Sequence, residues 1–242
     1  MRFARVETRD GVVEGTYHGD TVEVDGQTYE IGTEGTLLAP CEPGALYTMG
    51  FNYSGYVDMH LESEEPPKPF GFSLKAPNGI RASGEPVEYP SFTSELGYGG
   101  ELTAVIGERA KDVDVADVPD VVRGYTIMND LLAMDQDDIG TMKVFDGSAP
   151  LGPAIATDVD PTNLDMRTTI DGEVRQEANT GEMLQTPAEI VSGLSQRCTL
   201  QPGDVIALGS PANPGTVEPG DVIEIWYEGI GTLENEIVGP MA

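Results

Sequence analysis

GYGGELTAVIG (residues 97–107) sets one carboxylate, Glu101, between a glycine-rich approach and an apolar run closed by glycine. The run is too short for a helix, rich in β-branched residues and bounded by glycines, which reads as a β-strand with an acid where it begins. That acid is either a surface charge or a ligand. Similar short runs recur at 46–52, 124–129, 165–170, 204–208 and 222–227, and 30 Gly and 18 Pro punctuate them. The expected fold is mainly β, of the α+β class. Residues 1–45 read as a small N-terminal β module and 46–242 as the larger domain. Within the module, TVEVDGQTYEIG alternates Val22 and Val24 with Tyr29 and Ile31 around Asp25-Gly26, a hairpin signal.

Helices are few. In TPAEIVSGLSQRC (residues 186–198) Thr186 is placed as N-cap, Pro187 as the first helical residue and Glu189 as the capping-box partner. Ile190, Val191, Leu194 and Cys198 form its apolar stripe. A second helix is expected after Asn129-Asp130, with Asp130 able to cap it.

The net charge is −29, from 42 acidic against 13 basic residues spread along the whole chain. Such self-repulsion is relieved by concentrated salt, so the composition reads as a salt-adapted cytoplasmic protein of haloarchaeal type. Nucleic acid is excluded as a partner, because nothing here neutralises phosphates. A membrane is excluded too: no apolar run approaches the roughly 18 residues of a spanning helix. The start, MRFARVETRDG, lacks a secretory apolar core. Cys41 and Cys198 stand far apart without a CxxC, and His18 and His60 are the only imidazoles, too few for a histidine-based metal cluster.

Taken together, LLAPCEPGALYTMGFNY (37–53), YGGELTAVIG (98–107), GYTIMNDLLAMD (124–135), KVFDGSAPLGP (143–153), LQPGDVIALGSP (200–211) and GTVEPGDVIEIWYEGIGTLENEIV (215–238) resemble the fumarylacetoacetate hydrolase family, in the family's order and over nearly the whole chain. The resemblance implies a mixed β-sandwich roll, dimeric or larger. It also implies a carboxylate-bound Mg²⁺ (or Mn²⁺ or Ca²⁺) that chelates a 2-oxo acid or 1,3-dicarbonyl and stabilises the enolate formed on cleavage, decarboxylation or isomerisation. Hydroxyheptadienedioate isomerisation and oxaloacetate-type decarboxylation are examples. The alternative is a degenerate member that binds a small acid or a partner without turnover.

Carried over singly, the family's Tyr-Glu-x-Glu-Leu strand falls on Tyr98 to Leu102, so Glu101 is the second metal carboxylate and Gly99 stands where the first is expected. Asp130 matches the third. Glu95 is a conceivable replacement but reads more simply as a solvated charge. Lys143 matches the active-site lysine and Ser210 the hydroxyl of the family's GTP turn, both assigned to catalysis. Met134 and Asp137 occupy positions where the family helix carries Arg and Gln; Asp137 and Tyr53 are assigned to substrate binding. The hydrolytic His and Glu positions hold Tyr56 and Met59, with His60 and Glu62 just beyond, so water activation by a general base is not expected. Arg175 and WYEGIG read as structural.

Overall fold

In the computed structural model, which describes residues 1–55, 57 and 71–239, the apolar runs at 165–170 and 222–227 fall in a smaller sheet, and those at 46–52, 102–107, 124–129 and 204–208 in a 12-stranded one. Its middle follows the order Ala149–Ala156, Val122–Asn129, Gly100–Ile106, Val205–Ala207, Leu46–Met49 and Phe72–Lys75. A five-stranded sheet runs Glu173–Asn179, Asp165–Ile170, Val222–Tyr227, Gly231–Val238 and Val87–Glu88.

The two sheets pack face to face. Leu102, Ala104 and Ile106 share one apolar cluster with Met166, Ile223, Ile225 and Leu233 of the smaller sheet. The opposite face of the large sheet buries Val105, Met128, Leu151, Val205 and Ala207. Every residue of Gly100–Ile106 is therefore buried, which explains why its sequence is continuously apolar instead of alternating. Glu101 is the exception, a carboxylate only 2% exposed.

The hairpin at the N-terminus forms as expected. Thr21–Val24 pairs with Gln27–Glu30, and Asp25 and Gly26 both take positive φ, 51° and 81°. Gly11–Tyr17 pairs with Thr21–Val24 on one side and with Arg2–Thr8 on the other, and Arg2–Thr8 continues the large sheet through Arg2↔Ala156 and Phe3↔Ile155. The helix α2 (Pro187–Arg197) carries the predicted Thr186/Glu189 capping box. Ile190, Val191 and Leu194 of the expected stripe are buried, and Cys198, the half-buried C-cap, packs against the same cluster with its N–H bonded to the Leu194 carbonyl.

One expectation about the site fails. No helix follows Asn129-Asp130. The chain instead enters a short strand, Leu132–Ala133, that pairs with Leu96–Gly97. Helix begins only at α1 (Ile139–Lys143), capped by Asp138 through Gly140 N and Thr141 N. Backbone pairing explains the difference: Asp130 N donates to Gly99 O at 2.8 Å and Met134 N to Glu95 O at 2.8 Å, so sheet partners claim amides a helix would need.

Candidate active site

Glu101 and Asp130 meet because their strands are antiparallel neighbours, with Gly100 opposite Asn129 and Glu101 opposite Met128. Tyr227 holds the first turn of that strand pair in place. Its hydroxyl accepts from Leu102 N at 2.9 Å and donates to Gly100 O at 3.3 Å. Gly100 is needed for that approach, since a Cβ there would stand 2.7 Å from Thr168 Oγ1 and 2.9 Å from Ile225 Cγ2. The structural reading of WYEGIG thus extends to positioning Glu101.

Asp130, 4% exposed, is gripped by two ammonium groups. Lys143 Nζ, at the end of α1, donates to Asp130 Oδ2 at 2.5 Å and to Thr48 Oγ1 at 2.9 Å. Lys75 Nζ, at the end of Phe72–Lys75, lies 2.8 Å from Asp130 Oδ1. Lys75 aims its hydrogens at the carbonyls of Leu131 (2.6 Å) and Ser148 (2.8 Å). Asp130 Oδ1 therefore has a positive charge beside it but no aligned hydrogen bond. Burial pushes the Asp130 carboxyl up, yet Lys143 and Lys75 outweigh it and hold the group below its ordinary value.

Glu101 has weaker support. Its Oε2 accepts from Gly209 N at 2.8 Å. Burial first, and the Asp130 charge second, push its carboxyl up to about 8. Lys75 is pushed down to about 8 by its burial, against the pull of Asp130. The cluster thus sets two carboxylates against two ammoniums in a place water scarcely reaches.

These groups close one end of a cavity of about 560 Å³. Glu101, Asp130, Lys143, Gly99 and Ser210 line that end, and Lys75 stands behind it. Ser210 Oγ accepts from Gln176 Nε2 at 3.1 Å. Gly99 leaves no room unused: a Cβ there would meet Ser210 Cβ at 3.0 Å. The remaining wall is largely apolar, including Met49, Phe72, Leu132, Met134, Ile139 and Met142, with the hydroxyl-bearing Ser73 and Tyr98 among them and the Arg197 guanidinium over the Phe72 ring at 5.7 Å.

Of the residues assigned from sequence, Glu101, Asp130, Lys143 and Ser210 come together at the cavity. Asp137 does not: it is exposed and outside the lining, because the expected helix that would aim it inward is absent. Tyr53 is also outside the lining; it is 2% exposed, and burial followed by the Glu101 charge pushes its phenol up. Glu95 is exposed, a solvated charge. Arg175 pairs at the surface with Glu173. Tyr56, Met59, His60 and Glu62 lie outside the described residues. Lys75 went unassigned, although the sequence holds only Lys68, Lys75, Lys111 and Lys143, and that scarcity marks each of them.

The donor set fits a hard divalent cation only in a reduced form. Asp130 Oδ1 is a buried oxygen with the Lys75 ammonium beside it but no aligned hydrogen bond, and burial together with the Asp130 charge outweighs Lys143 and Lys75 in raising the Glu101 carboxyl. Mg²⁺ and its relatives accept one or two protein carboxylates and fill the remaining positions with water and ligand. Among the described residues no group of three acids, imidazoles or thiols gathers to do more.

Comparison with known proteins gives a consistent family picture. A family model described as fumarylacetoacetate (FAA) hydrolase C-terminal matches residues 45–238. The structure of 5-carboxymethyl-2-hydroxymuconate delta-isomerase from Mycobacterium smegmatis superposes with a TM-score of 0.91 at 33% identity, covering 100% of both chains. A 4-hydroxyphenylacetate degradation bifunctional isomerase/decarboxylase from Escherichia coli is 35% identical over 207 residues, 82% of this chain and 48% of its own length. Maleylpyruvate hydrolase from Sphingobium, solved with manganese(II) and pyruvate, shares the fold at a TM-score of 0.85 and 24% identity, covering 100% of both chains.

Proposed function

The chain belongs to the fumarylacetoacetate hydrolase family, and from that premise we propose that it is a divalent-cation-dependent enzyme acting on an enolisable 2-oxo acid or 1,3-dicarbonyl. Isomerisation or decarboxylation suits it better than hydrolysis. The observation that carries the reading is the Glu101–Asp130–Lys143 cluster at the head of the cavity, with Asp130 Oδ2 2.5 Å from the lysine ammonium.

Glu101 and Asp130 are the residues that would hold Mg²⁺ or Mn²⁺, whose contribution when bound is Lewis-acid stabilisation of a developing enolate oxygen. The chain's own residues supply the rest. Lys75, shut off from the cavity, fixes the Asp130 carboxylate through Leu131 and Ser148. Lys143 lines the cavity with its ammonium anchored by Thr48, so it can pass a proton to or from a carbon of the ligand without moving its stem. Ser210 offers a hydroxyl to a ligand oxygen. Moving a proton along an enol, or losing CO₂ from a 3-oxo carboxylate, requires no activated water. His18 pairs with Glu23 on the N-terminal hairpin, remote in sequence from the cavity wall, so the described imidazole is not part of this set.

A second reading, binding without turnover, draws support from Gly99. The test separates the two. Decarboxylation of oxaloacetate is followed in concentrated KCl with MnCl₂, beside calorimetric binding of oxalate. The Lys143→Ala variant is expected to lose about 10²–10⁴-fold in kcat. Oxalate binding with no turnover of any enolisable acid favours the second reading, and equal rates for wild type and Lys143→Ala remove Lys143 from the chemistry.

A further inference from the structure

Glu173–Asn179 is an edge strand of the five-stranded sheet, and its residues are exposed or half-buried with one exception. The exception is Gln176, 1% exposed. A strand position facing a packed interior ordinarily takes an apolar side chain. A primary amide is tolerated there only when its donors and its acceptor are met. Here every one is met. Gln176 Oε1 accepts from Thr168 Oγ1, on the residue paired with it across the sheet, at 3.0 Å and from Gly100 N at 3.4 Å. Gln176 Nε2 donates toward Ser210 Oγ at 3.1 Å and toward the carbonyls of Pro211 and Ala212, both at 3.2 Å. Gly100 N can only donate and the two carbonyls can only accept, so the amide has one orientation.

That orientation sets the polarity of Ser210. Its Oγ receives a hydrogen from Gln176, so its own hydrogen is the one left to give. Among the described residues the acceptor within reach of it is Pro211 O at 3.4 Å, a long contact. Ser210 lines the cavity beside Gly99 and Glu101. Gly99 makes room for the hydroxyl, since a Cβ there would stand 3.1 Å from Ser210 Oγ. We propose that Gln176 is a positioning residue for ligand recognition: it holds Ser210 as a hydrogen-bond donor to an acceptor oxygen of the bound acid. The inference rests on the site described under the enzyme reading above and adds to it a residue that lies outside the cavity lining. Gln176 does not touch the ligand; it acts through Ser210. The oxygen that meets Ser210 belongs to a carboxylate, a keto group or an enolate, each of which accepts, and an anionic oxygen gains the most because charge-assisted hydrogen bonds are the stronger ones.

The test is calorimetric titration of oxalate, whose oxygens only accept, into the full chain with MnCl₂ in concentrated KCl. Wild type, Gln176→Met, Ser210→Ala and the double variant are compared. Each single substitution should weaken oxalate by about tenfold, the loss of one hydrogen bond to a charged group. In the Ser210→Ala background, Gln176→Met should cost less than about twofold, because the hydroxyl that transmits its effect is gone. Thr168→Val keeps the side-chain shape and removes the donor to Gln176 Oε1. It should weaken oxalate by about threefold, again only where Ser210 is present, and it carries the test if Gln176→Met does not fold. Wild-type affinity in Ser210→Ala, or in the folded variant used to loosen the amide, overturns the proposal and leaves the enzyme reading intact. An equal loss with and without the Ser210 hydroxyl also overturns it, since the amide then only braces the 210–212 turn. A wild-type chain that binds no oxalate overturns both.

Discussion

Lys75→Met isolates what the buried lysine contributes to holding Asp130. Methionine keeps most of the stem volume and removes the ammonium. Lys75 is wholly shielded, its side chain 0% exposed, and its Nζ serves Leu131 O, Ser148 O and Asp130. Ser148 O keeps a second donor, Leu131 N at 3.1 Å, so one carbonyl is left bare rather than two. A buried acceptor left unpaired costs about 1–3 kcal/mol. Breaking a buried ion pair costs about 3–5 kcal/mol in all, and the retained Lys143 places this one toward the lower part of that range. For a chain of this size each kcal/mol moves Tm by about 2–4 °C, so a fall of roughly 6–15 °C is expected. The assay is thermal and urea unfolding, for Tm and for the free energy, both followed by circular dichroism at pH 7, below the value of about 8 to which burial pushes Lys75, so the ammonium is charged. A chelator keeps metal out of the comparison. In an Asp130→Asn background the same substitution should cost at least about 1 kcal/mol less, since the two side chains are in contact. A loss under 1 kcal/mol, or an equal loss in both backgrounds, refutes the clamp.

Gly99→Glu alone should destabilise by about 1–3 kcal/mol, because its Cβ meets Ser210 Cβ at 3.0 Å. Paired with Ser210→Gly it should be tolerated and should tighten Mn²⁺ by roughly tenfold or more, from the added charge near a dication; calorimetry showing no gain removes Glu101 and Asp130 as ligands. Asp135 accepts from Ser94 N, Thr93 Oγ1 and Gln136 Nε2, which hold its carboxyl well below the usual range. A depressed folded value means its contribution is present above the unfolded value of 3.8 and is lost as pH falls through the folded one. The Tm advantage of wild type over Asp135→Asn should therefore be full at pH 7 and shrink as pH drops below 3.8, and an advantage independent of pH contradicts the assignment. With a net charge of −29, Tm should climb as KCl rises from 0.1 to 1 M, where the screening length falls from about 10 to about 3 Å; a flat profile argues against salt adaptation.

Local patterns foretold the elements whose causes are local. The Thr186/Glu189 capping box and the Asp25-Gly26 turn each depend on a few consecutive residues, and both appear in the structure. The helix expected after Asp130 failed because its amides are taken by Gly99 and Glu95, more than thirty residues away, and no local window carries that information. Asp137 and Met134 had been matched to positions on the family's helix, so Asp137's inward position went with that helix; Met134 reaches the cavity from beside the short strand instead. Lys75 escaped notice for a related reason. Its role arises from a carboxylate at 130 and carbonyls at 131 and 148, brought to it by two segments distant from it in sequence.

The glycine at position 99 bears on charge as well as on ligand number. Asp130, Glu101 and two ammoniums share a poorly hydrated site, and burial and Asp130 push the Glu101 carboxyl up to about 8, so its full ionisation at neutral pH calls for added positive charge. Under the proposed reading, a dication held by Glu101 and Asp130 would leave an excess of about two positive charges there. The carboxylate of a 2-oxo acid would offset one of them in the ground state. Its enolate, bearing a carboxylate and an oxyanion, would offset both. A third carboxylate at position 99 would bring the balance closer to the ground-state acid. Binding that strengthens as charge develops lowers a barrier, whereas binding equally strong before and during the reaction does not. A glycine there, with Ser210 packed into the space, would therefore be compatible with turnover: it would weaken the hold on the metal alone and favour the more highly charged form of the ligand.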